Sequence, residues 1–103
     1  MSDPIPGHPG PVGTVSVSIP PTLRRFCGDQ EQVEVAPGTV AEAIDQLQQR
    51  FNGIRDRLLD PAGNIRGSVL IFVNQEDIRF LEHQKTRVHG GDEVSIIPAF
   101  AGG

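Results

Sequence analysis

The chain ends in Gly102-Gly103, so its last carboxylate sits on an arm without β-carbons, whose backbone can take φ values closed to other residues. Side chains at these positions would obstruct passage through a narrow channel. Ala99-Phe100-Ala101-Gly102-Gly103, fully extended, spans at most roughly 17 Å, enough to carry the Gly103 carboxylate into a buried site on another protein. Taken alone, a Gly-Gly end fits an ordinary unstructured terminus equally well, so what precedes it must decide. The other reactive side chains form no set. His8, His83 and His89 lack the spacing of a metal site, and the single cysteine, Cys27, excludes a zinc or iron-sulfur cluster built from this chain alone. Arg24 and Arg25 could lower the Cys27 pKa, but a plain loop cysteine is the simpler reading. Gly90-Gly91 precedes Asp92 rather than a helix start, which fits a tight turn and not a phosphate loop. No nucleophile stands with a base and an orienter, and neither a metal nor a bound cofactor is expected.

The elements that must position the tail are written in the hydrophobic pattern. Val15, Val17 and Ile19 alternate with Ser16 and Ser18 until Pro20-Pro21, which predicts a first strand. Val33 and Val35 alternate around Glu34 in a second, close enough in sequence to pair antiparallel with the first. Thr39 and Glu42 have the spacing of a capping box, and Val40, Ile44, Leu47 and Phe51 follow at helical intervals until Asn52-Gly53. Ile54, Leu58 and Leu59 are expected to cover one end of the core. Ser68 to Val73 is apolar on both faces, as a central strand requires, and Asn74 to Asp77 turns it towards a short strand at Ile78 to Leu81. His89 to Asp92 makes a tight turn into a last strand, Glu93 to Ile97, before Pro98. This order predicts an α+β fold, one mixed sheet of about five strands packed on one main helix, which is the β-grasp or ubiquitin-like arrangement. Residues 1–13 read as a disordered Pro/Gly-rich N-terminal tail, 14–98 as the β-grasp domain and 99–103 as an extended, flexible C-terminal tail.

Composition narrows the partners. A chain of 103 residues holds one core, and 9 basic against 13 acidic side chains give a net charge of -4, which argues against a surface built for nucleic acid. The longest apolar stretch, Val69 to Val73, is far short of the roughly 20 residues that cross a bilayer, so no membrane is expected. With one cysteine and a start, Met1-Ser2-Asp3-Pro4, that is neither basic nor apolar, the expected compartment is the cytoplasm.

Val15 to Leu23 (VSVSIPPTL), Val73 to Leu81 (VNQEDIRFL) and above all Gly90 to Gly103 (GGDEVSIIPAFAGG) resemble the ubiquitin-like sulfur carriers, a group that includes the small subunit of molybdopterin synthase and the thiamin sulfur carrier. SIPPTLR, LLDP and VNQEDIRF resemble most the carrier that serves an O-phosphoserine-dependent cysteine synthase. The resemblance implies a protein cosubstrate rather than an enzyme. An E1-like activating enzyme would spend ATP to adenylate the Gly103 carboxylate, and a sulfur donor would displace AMP to leave a thiocarboxylate. A sulfur-accepting synthase would then take the sulfur, of the cysteine synthase type or the large subunit of molybdopterin synthase. Gly102, Ala101 and Phe100 would thread the partner sites, with Phe100 standing where the family usually has an aliphatic residue. Ubiquitin carries arginines before its glycines and this tail has no charge, which weighs against the alternative of a modifier forming isopeptides. Lys85, the sole lysine, would allow only one internal linkage in any such chain.

Alternation assigns a docking surface as well. If Val69, Ile71 and Val73 face the helix, Leu70 and Phe72 face away, and Ile97 opposes Val94 and Ile96. Leu70, Phe72 and Ile97 are therefore the candidate partner interface. Glu76, Asp77, Asp92 and Glu93 are candidates for steering a basic partner.

Overall fold

The computed structural model describes residues 13–99. The rest of the expected N-terminal tail, and Phe100, Ala101, Gly102 and Gly103, lie outside the described residues.

Alternation governs the first pair of strands. β1 (Val15–Ser18) and β2 (Gln32–Val35) run antiparallel with Val15 opposite Val35 and Val17 opposite Val33, so their valines share one face. Between them Pro21–Phe26 forms a short 3-10 helix, where the residue pattern indicates only a polar turn. It starts on Pro21 and is held by the Arg24 Nε-H, which donates to the Ile19 carbonyl at 3.0 Å, while Leu23 and Phe26 pack on the core. No helical repeat announces so short an element; its contacts make it.

A two-residue strand, β3 (Gly38–Thr39), leads into α1 (Val40–Arg50). The capping box is complete: the Glu42 N-H donates to Thr39 Oγ1 at 3.2 Å and the Thr39 N-H to Glu42 Oε1 at 2.8 Å. A β-carbon at Gly38 would run into the Glu42 carboxylate that closes the box. Val40, Ala43, Ile44 and Leu47 form the buried stripe of α1, and α2 (Ile54–Leu58) closes the end of the core with Ile54 and Leu58. Gly53, at φ 104°, makes the turn between the two helices.

β4 (Val69–Val73) and β5 (Glu76–Asp77) form a hairpin whose two turn residues, Asn74 and Gln75, both have positive φ, 50° and 74°. The short strand thus sits at Glu76–Asp77 and not at Ile78 to Leu81, where Ile78–Phe80 is a 3-10 helix. A tighter turn than four residues moves everything after it. β6 (Arg87–Val88) pairs with β3, and β7 (Glu93–Pro98) completes a five-stranded sheet in the order β2-β1-β7-β4-β5. β7 is parallel to β1 and antiparallel to β4, which makes the sheet mixed. Its core face (Val15, Val17, Val33, Val69, Ile71, Val73, Val94 and Ile96) packs on α1. This is the β-grasp arrangement.

Leu47, 1% exposed, sits at the centre of the helix stripe. Leu47→Ala is expected to lower unfolding stability by about 2–5 kcal/mol, and Thr39→Ala by about 1 kcal/mol. Urea denaturation with an unchanged m-value checks both.

Candidate functional site

The site begins where β7 ends. The Ala99 N-H still donates to the Ser68 carbonyl at 2.8 Å, so the last ladder bond to β4 lies one residue beyond Pro98. On the β1 side the Ser16 N-H donates to the Asp92 carbonyl at 3.1 Å, and the parallel register matches Val17 with Val94. Continuing that alternation, the next donors would be the nitrogens of Pro20 and Pro98. Neither carries a hydrogen, so the parallel ladder stops there. Two prolines thus define the root of the tail, and a cleft of about 410 Å³ opens beside it, lined by Pro20, Leu23, Arg57, Arg66, Ile97 and Pro98 among others. The Arg57 guanidinium lies 4.4 Å from the centre of the Phe26 ring, and Arg25 5.2 Å from it.

Parity then arranges the face of the sheet away from α1. Leu70 is the direct partner of Ile97 across β4 and β7, and Phe72 lies two residues further along the same face. Leu70 and Phe72 are half-buried and Ile97 is 40% exposed, while Val69, Ile71 and Val73 are buried against the helix. The three apolar side chains expected at a partner interface therefore share one patch next to the tail root. Phe80, 79% exposed in the 3-10 helix after β5, is not among the expected contacts, because the residue pattern places a strand there. Nothing in its spacing marks it as exposed.

Two of the acidic residues expected to steer a partner are committed within the fold. Asp77, 7% exposed, accepts from Arg79 Nη2 at 2.7 Å, Nε at 3.0 Å and the Arg79 N-H at 2.8 Å, and these donors hold its carboxyl below the ordinary value. For Asp92 the largest single influence is burial, which pushes the carboxyl up. The His89 N-H at 2.7 Å, the Asn74 amide at 3.0 Å and the nearby His89 ring together outweigh burial and hold it below the ordinary value. Asn74 in turn accepts from the Glu93 N-H at 2.9 Å, which locks the start of β7 to the hairpin. Gly91, at φ 92°, completes the turn whose Asp92 N-H donates to the His89 carbonyl. Cys27 is 0% exposed and its burial pushes the thiol pKa up, the opposite of an activated nucleophile. Among the described residues no group of three or more His, Cys, Asp or Glu could hold a metal ion, and no helix is long and apolar enough to cross a membrane.

Residues 17–103 match the ThiS family. The chain is 42% identical over 91 residues to the sulfur carrier protein CysO of Mycobacterium tuberculosis, covering 86% of this chain and 98% of the relative. It is 37% identical over 84 residues to the molybdopterin synthase sulfur carrier subunit of the same organism, covering 79% of this chain and 87% of the relative. The solved BexX/CysO complex of Amycolatopsis orientalis superposes with a TM-score of 0.80 at 39% identity, over 86% of this chain and 99% of the matched one.

Asp77 and Asp92 fold with carboxyl pKa values lowered from 3.8. A lowered folded pKa adds stability that is fully present above the unfolded value and is lost as pH falls through the folded one. Unfolding stability is therefore expected to be flat near neutrality and to drop below about pH 4. Urea denaturation across that range should give a shallower acid loss for Asp77→Asn and Asp92→Asn than for the natural chain.

Proposed function

The chain belongs to the ThiS family of ubiquitin-like sulfur carriers, and from that premise we propose that Gly103 cycles between carboxylate and thiocarboxylate to deliver sulfur for cysteine formation. The observation that carries this reading is the uncharged Gly-Gly end rooted on the central strand of the sheet, beside an apolar patch. A carboxylate resists nucleophiles because its charge repels them and oxide is a very poor leaving group. In the proposed sequence a carboxylate oxygen of Gly103 attacks the α-phosphorus of ATP on an E1-like enzyme and pyrophosphate departs. Bisulfide then adds to the acyl adenylate carbonyl, the C–O bond to AMP breaks and a proton is released, leaving C(O)S⁻ and AMP. The sulfur stays nucleophilic near neutral pH and travels tethered, so that no free sulfide diffuses away.

The carrier supplies addressing, and its enzymes supply catalysis. It holds no cofactor of its own, and ATP is bound by the activating partner. Gly102, Ala101 and Phe100 occupy the partner's channel, and Leu70, Phe72 and Ile97 seat on its surface next to the channel mouth. Cytoplasmic placement follows from the need for ATP. A related carrier is seen in complex with another protein, BexX, which supports a face made for docking. The match to a molybdopterin synthase subunit favours, as a second reading, a stable stoichiometric complex with a larger synthase subunit.

Incubation with ATP, a sulfide source and the adenylating enzyme of the same genome should raise the intact mass by the exchange of one oxygen for one sulfur. Deleting Gly102-Gly103 should abolish the gain. Covalent ladders on other proteins with no such gain would overturn the sulfur role. Leu70→Asp and Ile97→Asp are expected to fold, since both side chains lie on the open face, and to raise the carrier's KM at least about tenfold, as loss of about 1.4 kcal/mol of binding implies. Circular dichroism separates that effect from misfolding.

A further inference from the structure

The open face of the sheet carries a second, polar feature. Ser16 of β1 is the Cα partner of Glu34 on β2 and of Glu93 on β7, so the three residues form one row across three adjacent strands. Neighbouring strands lie about 4.8 Å apart, which places the two glutamates on either side of a small residue. No ion pair engages Glu34 or Glu93 among the described residues, whereas Asp77 and Asp92 are taken by Arg79 and His89. The Thr14 hydroxyl donates to Glu34 Oε1 at 2.5 Å and so fixes that carboxylate. Ser16 itself is 2% exposed, and its Oγ is buried with no hydrogen-bond partner among the described residues. Valines on either side of it point into the core, so the unpartnered oxygen lies on the face that holds both carboxylates. An orphaned buried hydroxyl between two like charges is costly unless something supplies donors and positive charge.

We propose that Glu34, Ser16 and Glu93 form a slot for an arginine of the enzyme that adenylates the tail. A guanidinium offers five N-H donors in one plane and accepts nothing, which matches a row of oxygen acceptors in which the outer two are charged. It is also less strongly hydrated than an ammonium, so it gives up less on settling between the two half-buried carboxylates, whose side chains would part over the serine. The slot lies four residues, about 13 Å, along β7 from Ile97. The face is thus bipartite: an apolar patch at the tail root and an anionic socket at the far end. Chemistry assigns the occupant to the activating enzyme rather than to the sulfur acceptor. The acceptor can recognise a thiocarboxylate, which other chain ends lack, whereas the activator meets an ordinary carboxylate and must select its substrate by the folded face.

This inference rests on the sulfur-carrier reading for its partner but has a test of its own. The ¹⁵N-labelled full chain is titrated with N-acetyl-arginine amide and, separately, with the neutral isostere N-acetyl-citrulline amide. Amide shifts concentrated at Ser16, Glu34 and Glu93 are expected with the arginine derivative alone, and are expected to vanish in the Glu34→Gln/Glu93→Gln double variant. Equal shifts with citrulline, or shifts spread evenly over all carboxylates, would overturn the slot whether or not the chain carries sulfur. In the thiocarboxylate assay the same double variant should raise the KM for the carrier about tenfold at 0.1 M salt with kcat unchanged. The difference should shrink at 1 M, where the Debye length falls from about 10 Å to about 3 Å. A wild-type chain that takes up sulfur with a double variant of equal KM at both salts overturns the activator assignment while leaving the carrier role intact.

Discussion

The parallel pairing of β1 with β7 is the constraint on which the rest of the molecule depends. It joins the first strand of the domain to the last, so the five-stranded sheet is complete only when both strands are in place. It also makes β7 a central strand, with β1 on one side and β4 on the other. A tail rooted on an edge strand would fray with it; one rooted on a doubly paired strand starts from a fixed point and a fixed direction. The termination is equally determinate. Pro20 and Pro98 withdraw the hydrogens that would have extended the parallel ladder, while Ala99 keeps the antiparallel one for one more bond. The arm is therefore released from one neighbour before the other.

The sheet packs one face on the helix and leaves the other open. On the helix side, valine and isoleucine fill the inward positions of the four longer strands up to Pro98, which ends β7. On the other side the same strands present Ser16, Ser18, Glu34, Glu93, Ser95, Leu70, Phe72 and Ile97. Small polar residues occupy the middle of that face, on β1 and β7, and larger ones stand at its margins. Because side chains alternate with period two, a change on one face leaves the other nearly untouched. A carrier of this fold can therefore vary its open face without loss of its core.

Much of this architecture is legible in the residue pattern alone, and the exceptions have physical reasons. The alternation at Val15 to Ile19, the Thr39–Glu42 box and the stripe of α1 are local patterns, and each appears where its residues predict it, except that Phe51 follows α1 as its C-cap and is only partly buried. Parity alone puts Leu70, Phe72 and Ile97 on one face. The 3-10 helix at Pro21–Phe26 has no period of its own and is held by Arg24 and by core packing. The hairpin is tighter than expected because Asn74 and Gln75 both take left-handed conformations, which is readily expected of asparagine but not of glutamine. The β3–β6 pair is only two residues long on each side, below the length at which alternation can be seen. The Glu34–Ser16–Glu93 row is illegible for a different reason: its members come from strands far apart in sequence, and cross-strand register is not written in any one of them.

The reactive side chains that the described residues do hold are committed to the fold. Cys27 is sealed in the core with its thiol pKa raised, Asp77 is closed by Arg79, and Asp92 is spent on fixing the turn before β7. These side chains, which a catalyst would have needed poised near neutrality, are used instead as structure. A domain that commits these groups to structure in this way keeps a doubly paired last strand and an open sheet face, the features on which the proposed carrier role draws. On the proposed reading the reactive group is the end of the main chain, for which no side chain needs to be activated, since a partner would supply both the leaving group and the sulfur.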